Sequence, residues 1–123
     1  MHIRALVGDT ADIVGPETTL GEVASAMSER STSAVAVVDR SGMIGICTDR
    51  DLALSFSGGV GSDAPVTEVM TESPDVVGPD VAVRDVASWM LETGYRHLPV
   101  MEDGELLGIV DMRDVLWAIT SAD

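Results

Sequence analysis

The sequence predicts an α/β (α+β) protein made of two tandem β-α-β-β-α repeats related by pseudo-twofold symmetry. Three observations carry this prediction. The 123-residue chain matches itself without a gap when it is shifted by 63 positions. Each half holds an apolar stripe at helical spacing, flanked by short apolar runs of strand length. Gly-Pro pairs and Gly-containing turns recur at the same places in both halves. The repeats are assigned to residues 1–60 and 61–123.

The self-match places Asp12-Ile13-Val14-Gly15-Pro16-Glu17 over Asp75-Val76-Val77-Gly78-Pro79-Asp80. It also places Val23-Ala24-Ser25 over Val86-Ala87-Ser88, Gly45-Ile46 over Gly108-Ile109, and Arg50-Asp51 over Arg113-Asp114. About a third of positions 12–53 are identical at this one offset. The match continues weakly to the start, where Ile3 and Leu6 fall on Val66 and Val69.

The elements follow in chain order. Gly15-Pro16 and Gly78-Pro79 each end a short strand, because proline fixes φ and has no N–H to donate. Leu20, Val23, Ala24 and Met27 lie at i, i+3, i+4 and i+7, as do Val83, Val86, Ala87 and Met90, so each repeat continues into a helix. Thr19 and Glu22 have the spacing of a capping box. Ala34 to Val38 and Leu98 to Met101 read as strands. Asp39-Arg40-Ser41-Gly42 and Glu102-Asp103-Gly104 are hairpin turns. Met43 to Cys47 and Leu106 to Val110 return as strands, and second helices begin near Thr48 and Asp111. Ser57 to Asp63, rich in Gly and Ser, is expected to be a flexible connection. A repeat of about 60 residues buries a marginal fraction of its surface. The two copies are therefore expected to cover one another, with the cleft between them the place to look for a ligand.

Composition excludes several classes. Hydrophobic residues make up 46% of the chain, which rules out disorder. No uncharged apolar run approaches the ~18–20 residues of a membrane span, and no apolar secretory leader opens the chain. The single cysteine, Cys47, cannot form an internal disulfide, which fits a cytoplasmic location. The net charge is −14, and all seven cations are arginine. Such a surface repels nucleic acid and anionic membranes, so neither is expected as a partner. The acidity is read as a solubility device or as adaptation to high salt.

The repeat pattern, with Gly94-Tyr95-Arg96-His97-Leu98-Pro99-Val100 and Gly45-Ile46-Cys47-Thr48-Asp49-Arg50-Asp51, resembles a tandem pair of cystathionine beta-synthase (CBS) domains, a Bateman module. The resemblance covers essentially the whole chain. It implies clefts between repeats that bind AMP, ADP, ATP or S-adenosylmethionine as a regulatory ligand, with no required cofactor. It also implies a stand-alone pair that forms a homodimer and acts on an unidentified regulated protein. The alternative is a dimerisation or interaction module that binds no nucleotide. No catalytic constellation or metal-binding spacing is present, so no enzyme is expected.

Thr48 and Asp51 sit where a strand runs into a helix N-terminus, a place that favours anions. In the resemblance these positions hold phosphate and ribose; as a bare pattern they are also a plain cap. The second repeat has Asp111 in place of the threonine, beside Asp114, and a second carboxylate there opposes a phosphate. Arg96 and His97 stand where relatives contact ligand phosphates, or else pair with local carboxylates. Ile13, Val76 and the backbone at Ala34 and Val35 are placed around the adenine by the resemblance, and all read equally as core. Arg50, like Arg113, is a cation in a helix's first turn, suited to a phosphate or to a neighbouring Asp. Trp89 lies off its helix's apolar stripe. With Trp117 it is expected at or near a dimer interface. Cys47 reads as a small buried hydrophobe.

Overall fold

The computed structural model describes residues 1–8 and 12–121. They form a mixed α/β structure of two compact units, one spanning Asp12–Pro74 and the other joining residues 1–8 to 75–121.

In the 12–74 unit, β1 (Ile13–Val14) leads to α1 (Leu20–Arg30), β2 (Ala34–Asp39), β3 (Gly42–Thr48), α2 (Asp49–Ser57) and β4 (Thr71–Glu72). The sheet order is β1-β2-β3-β4, with β1 parallel to β2 and the other pairs antiparallel. Thr19 and Glu22 form the expected capping box at α1. The hydrogen bonds from Thr19 hold the Glu22 carboxyl below the usual glutamate range. Leu20, Val23 and Met27 bury one face of α1 against Val35, Val37, Cys47, Leu52 and Val66.

The other unit holds a 3-10 turn (Ile3–Leu6), α3 (Val83–Thr93), β5 (His97–Glu102), β6 (Glu105–Asp111) and α4 (Met112–Ser121). Val83, Val86 and Met90 of α3 pack with Leu98, Val100, Val110, Val115 and Ala118. Gly94, in the left-handed region at φ +82, ends α3. The two hairpins share an irregularity at equivalent positions, after Val37 and after Val100. No helix among the described residues is long and apolar enough to cross a membrane.

Two expectations are corrected. The second Gly-Pro is preceded only by an isolated parallel bridge, Val77 to Val100, and by no strand. In the first repeat the Ala36 N–H donates to the Asp12 carbonyl at 2.8 Å. Pro99 stands at the equivalent of Ala36 and has no N–H, so that bond cannot form and the strand shrinks. Residues 57–63 are also not an open tether. The Gly58, Gly59 and Val60 N–H groups donate to the Leu54, Phe56 and Ser55 carbonyls, and the Ser62 carbonyl accepts from Gly21. That Gly21 N–H bond to Ser62, at 2.9 Å, ties this turn to α1.

The compact units do not coincide with the sequence repeats. Ile3 is fully buried in the core of the 75–121 unit, and Val66 is fully buried in the core of the 12–74 unit. Ile3 N–H donates to the Val81 carbonyl at 2.9 Å, and Val83 N–H donates to Met1 at 3.0 Å. At the positions equivalent by the 63-residue offset, Val66 N–H donates to Thr18 at 2.8 Å, and Leu20 N–H to Ala64 at 2.9 Å. The segment ahead of each repeat therefore completes the core built by the other repeat's helices and hairpin. The paired glycines explain themselves here. A Cβ on Gly108 would lie 2.5 Å from Val7 Cγ1, and one on Gly45 would lie 2.6 Å from Met70 Sδ and 2.9 Å from the Thr71 carbonyl.

Candidate functional site

The chemistry-bearing residues gather at the N-termini of α2 and α4, one in each unit. At α2 the Thr48 hydroxyl accepts from Asp51 N–H at 3.3 Å, and Thr48 N–H donates to Asp51 Oδ2 at 2.9 Å. The capping reading of this pair is realised. It commits one carboxylate oxygen; Oδ1 makes no hydrogen bond among the described residues. The Thr48 hydroxyl, used here as an acceptor, keeps its own proton for donation. Asp49 N–H donates to the Ser33 carbonyl at 2.9 Å, which fixes the first turn to the start of β2. Arg50 lies exposed in that turn and makes no ion pair among the described residues.

Around this terminus, Ala34 stands directly opposite Thr48 and Val35 opposite Cys47 in the β2–β3 register. Both side chains are buried, so Ala34 and Val35 have only backbone to offer a ligand. Ile13 is different: in β1, opposite Ala36, it leaves 46% of its surface uncovered. Val76, its equivalent in the other unit, is 42% exposed. Aliphatic side chains are thus left open at the same place in both repeats.

The α4 terminus repeats the geometry with different chemistry. Asp111 Oδ1 accepts from Asp114 N–H at 2.9 Å, and Asp114 Oδ2 accepts from Asp111 N–H at 3.3 Å. Met112 N–H donates to the Arg96 carbonyl at 2.8 Å, as Asp49 does to Ser33. Partial burial raises the Asp114 carboxyl above the usual aspartate range; the Asp111 N–H bond opposes this, and the Asp111 charge adds to it. His97 lies directly opposite Asp111 in the β5–β6 register. Thus Ala34 opposite Thr48 becomes His97 opposite Asp111. This paired change is visible at the 63-residue offset and was missed when each residue was read alone. Arg96 itself is exposed at the head of β5.

Cys47 is fully buried, and burial first, then the Asp51 charge, pushes its thiol up to about 12. The native protein is expected to resist iodoacetamide at pH 8 and to react only once unfolded. Rapid native labelling, followed by mass spectrometry, would contradict this burial. A shallow depression of about 460 Å³ on the α1 face is lined by Glu22, Glu29 and Asp63 with Ser25 and Ser62, and contains none of the expected ligand residues. Trp89 is half-buried, packs on the core and meets Tyr95 edge-to-face at 6.0 Å. Trp117 presents its ring to solvent, 63% exposed.

Comparison with known proteins adds to this geometry. The family model described as CBS domain matches twice, at residues 6–58 and 66–121. An uncharacterized 17.7 kDa protein of Acidianus ambivalens is 36% identical over 109 residues, covering 87% of this chain and 66% of that protein. The chain thus spans a little under two thirds of that relative's length. The crystal structure of a CBS-domain-containing protein from Agrobacterium tumefaciens superposes with a TM-score of 0.90 at 28% identity, covering 97% of this chain and 99% of that one. The structure of CBSX2 in complex with AMP superposes with a TM-score of 0.82, also at 28% identity, covering 98% and 96% of the two chains.

Proposed function

Because the chain belongs to the CBS-domain family as a tandem pair, we propose that it is a regulatory module that senses an adenosine-containing ligand rather than an enzyme. One observation carries this reading: Thr48 and Asp51 at the α2 terminus keep a hydroxyl proton and a carboxylate oxygen that the cap does not use. Asp51 Oδ1 accepts from a ribose diol. The Thr48 hydroxyl and the Arg50 guanidinium receive a phosphate. Ile13 covers a face of the base, and backbone at Ala34 and Val35 reads its edge. AMP bound to a chain of 28% identity supports the adenosyl class. The second site, with Val76, Arg96, His97 and Asp114, is disfavoured for phosphates by Asp111. A free thiol at Cys47 fits a cytoplasmic setting.

A thermal-shift and calorimetry series with AMP, ADP, ATP and S-adenosylmethionine tests the reading. A ligand at 100 times its Kd is expected to add ~2.7 kcal/mol of stability. No shift with any of the four, at low or high salt, rejects ligand sensing in favour of a module that only mediates association.

Association is the second part of the proposal. Leu54 and Trp117 are equivalent at the 63-residue offset and are 58% and 63% exposed. Uncovered apolar residues at one position of both second helices suit an isologous homodimer. Light scattering at micromolar concentration should give twice the chain mass, and Trp117→Glu should halve it. A monomer in the unmutated protein removes this part. Screening of the −14 charge should strengthen the dimer as salt rises.

A further inference from the structure

We propose that the groove of the 75–121 unit that holds residues 1–8 is an exchangeable binding site, and that it takes the same segment from a second copy of this chain. The groove has the parts of a recognition site. Its backbone holds the segment through the Val83 N–H bond to Met1 and the bonds of Ile3 and Arg4 N–H to the Val81 and Pro79 carbonyls. Ile3 fills a closed apolar pocket and is fully buried. Val7 settles into the space that Gly108 leaves by lacking a side chain. Arg4 pairs with an acidic rim, Glu102 at 2.8 Å and Asp80 at 3.3 Å. The groove therefore selects an isoleucine, a following cation and a small β-branched residue four positions on.

The observation that points to exchange is the crossed connectivity. Residues 1–8 precede the 12–74 unit in sequence, but that unit is already completed by 64–70 through hydrogen bonds at equivalent positions. The segment serves only the groove. When it leaves, the 12–74 core loses none of its members. If it enters the groove of a second copy, each of these bonds and contacts is remade. The contact energies of the closed and exchanged forms then cancel, and concentration decides between them.

Two full-length variants test the exchange. Ile3→Asp spoils the segment and leaves the groove intact. Gly108→Leu blocks the groove and leaves the segment intact. With isotope-labelled Ile3→Asp protein, adding unlabelled Gly108→Leu protein should slow exchange of the Val83 amide by roughly tenfold or more, whereas unlabelled Ile3→Asp protein should not. Equal effects of the two additions overturn the proposal, provided the labelled chain retains its β5–β6 resonances.

A second measurement avoids variants of the groove. A nitroxide is attached at Ala5→Cys on an unlabelled chain, where buried Cys47 does not compete. This chain is mixed with labelled, untagged wild-type protein and taken through a heating and cooling cycle at high concentration. Broadening centred on Val81, Val83 and the α4 residues Val115 and Ala118 that share the Ile3 core supports exchange. No broadening, or broadening centred on α2 instead, overturns it.

Discussion

Ile3→Ala is expected to destabilise the 75–121 unit by about 2–5 kcal/mol, the range for emptying a closed aliphatic site. Ile3 has no exposed surface and contacts a core built from α3, β5, β6 and α4. A loss of that size is a large share of the roughly 5–15 kcal/mol that holds an ordinary domain together. Its location in the chain is the more telling part. Amide exchange should rise in β5 and β6, nearly a hundred residues away in sequence, and stay low in β2 and β3. The partner substitution, Val66→Ala, should show the reverse pattern. Leu91→Ala is the control; Leu91 is 81% exposed, and its loss should fall within about ±0.5 kcal/mol. Equal loss of protection in both hairpins after Ile3→Ala would mean that the crossed segments do not define the stability units.

Asp51→Ala is expected to lower affinity for AMP by about 10- to 100-fold, the loss of a charge-assisted hydrogen bond of ~1.5–3 kcal/mol. It also removes the Asp51 half of the α2 cap, at a cost of about 1 kcal/mol in stability. Asp114→Ala removes the matching half of the α4 cap and is expected to leave AMP affinity nearly unchanged. The pair therefore separates capping from binding: similar stability losses, different affinity losses. Equal affinity losses by calorimetry would reject a preferred first site.

Asp111→Thr extends the comparison. Two charges about 4 Å apart at an effective dielectric near 20 interact by ~4 kcal/mol, which solvent and salt reduce. Even a quarter of that is a roughly fivefold gain in affinity at the α4 terminus. The gain should grow from adenosine to ATP. An equal change for both ligands would mean that Asp111 acts by shape.

Local and periodic features were legible from residue order alone. The α1 stripe, its Thr19 cap, the two hairpins and both second-helix starts follow from short-range spacing, and duplication made each reading count twice. The same holds for the Thr48–Asp51 pair and its altered copy at Asp111 and Asp114. The family resemblance implies that Ile13 and Val76 border a ligand, and both are substantially exposed. Three matters required the folded chain. Pro99 erased a strand because the missing N–H belonged to a bond whose acceptor lies on a different segment. The glycines at 45 and 108 face Met70 and Val7, contacts that no local pattern announces. Above all, an offset of 63 residues shows that two segments are alike and says nothing of which core each one enters. Burial is decided by which surfaces meet in space, and the segments bearing Ile3 and Val66 each complete the core of the other repeat.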